Sequence, residues 1–130
     1  ILNLGRSKVE VNIKTLMMID SLDMKDSDRK LIIDSCKASI EKNIIITHGT
    51  DTMTETANKL GEKNLNKTIV LTGAMIPYKF GTSDGLFNIA SALAYVQTLS
   101  HGVYVAMNGR VFTYDNVIKN KETGVFEDIR

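Results

Sequence analysis

Apolar positions in this chain follow two periods, and segments of the two kinds take turns. Residues 11–19 carry Val11, Ile13, Leu16, Met17, Met18 and Ile19, alternating at first and then continuous, which predicts a strand entering a core. Leu31, Ile32, Cys36 and Ile40 recur at helical spacing. They predict a helix to about residue 42, with Asp26 or Ser27 as cap and Asp28 favouring its N-terminus. Ile44, Ile45 and Ile46 with Thr47 predict a strand buried on both faces. Residues 52–60 predict a short helix, with Thr52 as cap, Glu55 in its first turn and Gly61 as the C′ residue.

Residues 68–72 form another β-rich run closed by Gly73, and Pro77 and Gly81 mark an irregular connection. Ser83 and Asp84 cap a long helix over residues 85–99, with Phe87, Ile89, Ala92, Leu93 and Val96 as inward candidates. Residues 102–107 predict a strand, and Asn108-Gly109 is a two-residue hairpin signal leading to a short strand over 110–112. Strands separated by crossover helices imply an α/β fold: a three-layer, doubly wound, mostly parallel sheet. Residues 119–130 are charged, with Val125 and Phe126 as anchors, and are expected to reach a partner or fray.

A chain of 130 residues suits one domain, taken as residues 1–130. With 43% hydrophobic and 24% charged residues the composition is that of a globular domain. A net charge of +1 offers no electrostatic case for nucleic acid or an anionic membrane. The single cysteine, Cys36, cannot form an internal disulfide; it reads as core, and a cytoplasmic location is the expectation drawn from it. The opening residues, from Ile1, read as the middle of an element, so a first strand is expected upstream.

Three turns follow predicted strands, at residues 20–25, 47–52 and 73–78, and this topology puts them on one rim of the sheet. Ser, Thr and Asp after strands are ordinary turn formers and caps. The central turn holds more than capping needs: Thr50 and Asp51 stand beside Thr52. A threonine hydroxyl needs a base to become a nucleophile, and Lys119 is a candidate, although from spacing alone it reads as a solvated lysine. His48 reads as a structural hydrogen-bonder, because the other histidine, His101, falls at the opposite rim. Met17, Met18 and Met24 read as packing. Neither G-x-x-x-x-G-K nor G-x-G-x-x-G occurs, which argues against a phosphate-loop nucleotide binder.

The run Thr47-His48-Gly49-Thr50-Asp51-Thr52-Met53, with Glu55-Thr56-Ala57, resembles the second active-site motif of the bacterial-type L-asparaginases. The resemblance continues through Val70-Leu71-Thr72-Gly73-Ala74-Met75, Ser83-Asp84-Gly85 with Phe87-Asn88, and Gly102-Val103-Tyr104-Val105-Ala106-Met107-Asn108 to Lys119. Asp20-Ser21-Leu22-Asp23-Met24 looks like the family's substrate-carboxylate turn. The resemblance implies the flavodoxin-like asparaginase N-terminal domain, as in the short single-domain members, and hydrolysis of the L-asparagine side-chain amide, or a related small amide, through threonine. Thr50, Asp51 and Lys119 would be catalytic. Ser21 would bind the α-carboxylate, Asp51 the α-ammonium, and the carbonyl of Ala74 the amide nitrogen. No cofactor or metal is implied, and the partners would be the small amide substrate and other copies in a homodimer or homotetramer. The family's Thr-Gly-Gly-Thr run is not among these residues, and Leu22 stands where many members have glutamine. The alternative is a weak or inactive relative that binds an amino acid or a protein partner.

Overall fold

The computed structural model describes residues 6–76 and 82–130. The expected connection around Pro77, Tyr78 and Gly81 lies outside the described residues. Three helices, α1 (Asp26–Ala38), α2 (Met53–Gly61) and α3 (Gly85–Thr98), alternate with strands β1 (Asn43–Thr47), β2 (Thr68–Thr72) and β3 (Gly102–Met107). The chain then adds β4 (Arg110–Thr113), β5 (Ile118–Lys119) and β6 (Phe126–Glu127). The main sheet runs β1-β2-β3-β4, parallel except for the antiparallel β3–β4 pair. This is the α/β architecture expected from the order of elements.

Alternation along the strands feeds two cores. Ile69 and Leu71 of β2, with Val103, Val105 and Met107 of β3, face α1 and α2, meeting Ile32, Ile33, Cys36, Met53, Ala57 and Leu60. Val70 and Ala106 point the other way, onto Ala92 and Val96 of α3. The sheet is therefore the middle of three layers. Cys36 is buried in the first core, and desolvation pushes its thiol above the usual range, with Lys67 opposing. The Asn108-Gly109 turn forms as expected: both residues have positive φ, 57° and 79°, which matches the twist of the β3–β4 pair.

Several local expectations are overturned. Residues 11–19 form no strand, although Leu16 and Met17 do pack against the first core. A strand needs a neighbour for its backbone groups, and the described residues supply none here, so Ile13 is 80% and Met18 96% exposed. For the same reason Ile44, Ile45 and Ile46 are only half-buried: among the described residues β1 is an edge strand, not a central one. On α1, Leu31 is exposed and Ile40 lies beyond the helix end, 91% exposed. The cap of α1 is Lys25, whose N–H donates to Asp28 Oδ2 at 2.9 Å, so neither Asp26 nor Ser27 serves.

On α3, Ala92 and Val96 are buried but Phe87 faces out, lying over Gly109 instead. Asp84 stands at the cap position without capping: its carboxylate takes the N–H groups of Met75 and Ile76 at 3.0 and 3.1 Å. Burial opposes ionisation of Asp84, yet these backbone donors and Asn88 hold its carboxyl below the usual range. The C-terminal residues do not fray. Phe126 is fully buried and β6 pairs with β5, while Val125 stays exposed.

Gly61 is the last residue of α2 and not the C′ residue, since Glu62 is still helical in backbone; the ring of Tyr114 lies against Gly61 and leaves no room for a side chain. A Cβ there would meet Tyr114 carbons at 2.3 to 2.5 Å. Gly61→Ala is expected to lower the urea unfolding free energy by roughly 1–3 kcal/mol through overpacking. Combining it with Tyr114→Ala should recover part of that loss relative to the two single changes added together, as a double-mutant cycle would measure.

Candidate active site

The parallel register aligns the ends of β1 and β2, pairing Thr47 with Thr72, so the turns that follow emerge side by side. His48 N–H donates to Thr72 O at 2.9 Å and carries the pairing one residue further. The next residues, Gly49 to Thr52, leave the sheet as an irregular turn before α2 begins. Thr52 occupies the cap position of α2 but makes no side-chain capping bond. Its hydroxyl is engaged elsewhere, donating to Ser21 O at 2.9 Å, and its N–H donates to Ser21 Oγ at 3.3 Å. The turn over residues 20–25 is thereby fastened to the turn after β1. Gly49 allows this approach: a Cβ on it would lie 2.8 Å from Ser21 Oγ.

Lys119 reaches the same turn from a distant part of the chain. Val117 and Phe126 are buried in the main core on either side of it. Alternation then turns Ile118 outward and sends Lys119 toward the rim. Its Nζ donates to Thr50 Oγ1 at 3.0 Å and to Asp51 Oδ1 at 2.9 Å, across 69 and 68 residues of sequence. The Lys119 side chain is 14% exposed and that of Asp51 47%, so the pair is half-shielded from water. Thr50, Asp51 and Lys119 are thus brought together in direct hydrogen-bond contact. The spacing-based reading of Lys119 as a solvated tail residue does not hold.

The other expected positions lie around this cluster. Ser21 is buried against Gly49 and Thr52. Ala74 follows β2 and is partly buried; the preceding Gly73 O accepts from Asn88 Nδ2 at 2.8 Å. Asn88 Oδ1 in turn accepts from Asn108 N–H at 3.1 Å, tying this turn to the β3–β4 hairpin. Leu22 is exposed beside Ser21. Among the described residues, the grooves of about 340 and 460 Å³ lie elsewhere, one between α1 and α2, the other beside Gly61, His101 and Tyr114. The Thr50–Lys119 cluster is a partly exposed polar group at the rim of the sheet.

Two residues to which the sequence reading gave no role of their own support the site from below. Arg29 is buried, and its Nε donates to Thr56 Oγ1 at 3.0 Å and its Nη2 to Thr52 Oγ1 at 2.8 Å. The available signal was its position three, four and seven residues before Ile32, Ile33 and Cys36, where a helix facing a core should be apolar. Thr56, the second, is fully buried and links Arg29 to His48.

His48 is a structural hydrogen-bonder, as its position at the strand end suggests. Its Nδ1 lies 2.7 Å from Gly49 O, an atom that only accepts, so the proton sits on Nδ1. Nε2 then accepts from the Thr56 hydroxyl at 2.8 Å, and Thr56 accepts from Arg29. Burial lowers the imidazole pKa below 6.5, the Gly49 carbonyl opposes, and the Arg29 charge lowers it further. The neutral ring is therefore the folded form. Stability from this group is complete above pH 6.5 and falls as pH drops through the depressed folded value. Urea midpoints measured between pH 7.5 and 5 should decline less steeply for His48→Asn than for the parent.

His101 sits at the amino end of β3, bonded to Asn66 Oδ1 at 2.6 Å, away from this rim. No helix among the described residues is long and apolar enough to cross a membrane.

Comparison with known proteins points in one direction. The family described as Asparaginase, N-terminal, matches residues 3–126. A protein of Haemophilus influenzae named probable L-asparaginase periplasmic is 37% identical over 118 residues, covering 85% of this chain and 33% of that protein. Escherichia coli L-asparaginase 2 is 35% identical over 113 residues, covering 82% and 32%. The thermostable L-asparaginase structure from Thermococcus kodakarensis superposes with a TM-score of 0.91 at 28% identity, over 98% of this chain and 42% of that one. The chain thus spans about a third of the length of the curated relatives it matches. With the family match running over nearly every residue and the fold shared with an L-asparaginase, this chain belongs to the asparaginase family.

Proposed function

We propose that this chain is an asparaginase-like amidohydrolase unit that converts the side-chain amide of L-asparagine, or of a related small amide, to carboxylate and ammonia. The observation that carries the reading is the contact of Lys119 Nζ with Thr50 Oγ1 and Asp51 Oδ1 at 3.0 and 2.9 Å. Nζ donates to Thr50 Oγ1, so the threonine proton is directed away from the lysine and toward a bound amide or an attacking water. Negative charge that develops on Oγ1 as that proton leaves is stabilised by the ammonium beside it.

Asp51 gives one oxygen to Lys119, and its exposed carboxylate has a second for the substrate α-ammonium. Ser21 Oγ accepts the Thr52 N–H and keeps its own proton for an α-carboxylate oxygen. The Ala74 carbonyl accepts from the amide nitrogen. Residues 1–130 act in this reading as one N-terminal-type unit within a homodimer or homotetramer. Location is read as cytoplasmic from the unpaired, buried Cys36.

Thr50→Ala and Lys119→Met should each reduce ammonia release from L-asparagine by roughly a hundredfold or more, the scale of losing an acid–base partner or a charge stabiliser. Either variant releasing ammonia at the parental rate would remove its residue from the mechanism. Cell fractionation should recover the protein with cytoplasmic markers, and recovery with a periplasmic marker would overturn the location.

A further inference from the structure

Two basic side chains, Arg29 and Lys67, are buried among the described residues. Lys67 closes a helix end, its Nζ donating to Ser39 O and, at 2.5 Å, to Cys36 O. Arg29 serves no helix end. It stands on the core face of α1, where Ile32, Ile33 and Cys36 continue the stripe. A guanidinium there loses its hydration, and an apolar residue of similar volume would usually stabilise the fold as well or better. No buried carboxylate compensates it: Glu55 is 3.4 Å away with a side chain 62% exposed. Stability does not account for an arginine at this position.

Its hydrogen bonds run in three directions. Nε meets Thr56 Oγ1 on α2, Nη2 meets Thr52 Oγ1 after β1, and Nη1 meets Met24 O at 3.4 Å in the turn that carries Ser21. Thr52 passes the connection to Ser21 through both its hydroxyl and its N–H. Thr56 passes it to His48, whose ring holds the Gly49 carbonyl. The turn of Ser21 and the turn that carries Thr50 and Asp51 therefore meet on one planar group. Only a guanidinium offers donors on three separate nitrogens in a fixed fork; a lysine ammonium carries its three donors on one nitrogen and cannot span oxygens set around such a fork.

We propose that Arg29 is a positioning residue. It holds the turn of Ser21 and the turn of Thr50, Asp51 and Thr52 at one spacing, so that the groups taking the two ends of an amino-acid substrate are set before it arrives. It touches no substrate itself. The proposal rests on the functional reading above for the identity of the ligand, but not for the mechanical link.

The test uses the full chain with Arg29→Met and Arg29→Lys, followed by ¹H–¹⁵N NMR with L-aspartate as the probe. In both variants the Thr52 amide should exchange with solvent about tenfold faster or more, the scale of losing one charge-assisted hydrogen bond. The amides of Val70 and Val105 should keep their protection, which a general loss of stability would not allow. The dissociation constant for L-aspartate should rise about tenfold in Arg29→Met. The His48 titration midpoint should rise in Arg29→Met and stay in Arg29→Lys. Parental Thr52 exchange and parental L-aspartate affinity in Arg29→Lys would overturn the proposal, whether or not Arg29→Met folds. A parental chain that does not bind L-aspartate would overturn the functional reading, and the Thr52 exchange rate would still decide the role of Arg29.

Discussion

Parallel pairing of β1, β2 and β3 is the constraint on which the rest of this molecule depends. Strands that run the same way must be joined by crossovers, and the crossovers here are α2 and α3 on opposite faces. β1, β2 and β3 then all end on the same rim. Because Thr47 pairs with Thr72, the turns after β1 and β2 are neighbours even though more than twenty residues of chain lie between them. A rim built this way gathers polar turn residues from separate segments, and the apolar cores below it carry the stability.

The polar groups at that rim are not loose. Thr52, Thr56, His48, Ser21 and Arg29 form a chain in which the Thr52 and Thr56 hydroxyls each both accept and donate. Among the described residues no buried side-chain nitrogen or oxygen lacks a partner. Such a network is costly to leave half-satisfied, and fully satisfied it admits few alternative geometries. Thr50 and Asp51 are suspended between this network and Lys119. Lys119 in turn is aimed by the burial of Val117 and Phe126 on either side of it. Thr50, Asp51 and Lys119 stay partly open to solvent, while their supports are packed.

The crossover helices, β2, β3 and the hairpin at Asn108-Gly109 were legible because each depends on period or on a local backbone preference. Caps were less so. Ser27, Asp26 and Thr52 all have the right chemistry to cap, but Asp28 reaches back to Lys25 and Thr52 is claimed by Ser21 and Arg29. Competition from across the fold decided those positions. Residues 11–19 have a strand's pattern and, among the described residues, lack a strand's neighbour, and the pattern cannot report whether a neighbour is there.

The amino-acid sequence by itself determined the layer order, the near-parallel sheet and the polar content of the turn at Thr47-His48-Gly49-Thr50-Asp51-Thr52, since these follow from hydrophobic period and residue chemistry along the chain. Its motifs also carried the resemblance to the asparaginases. Only the tertiary structure decided that Lys119 stands 3.0 Å from Thr50. It alone turned Arg29 from a helix residue into the joint between two turns. These are contacts across 69 and 23 residues of sequence. They exist because the sheet register and the buried anchors bring the segments together, and no local pattern encodes such a meeting.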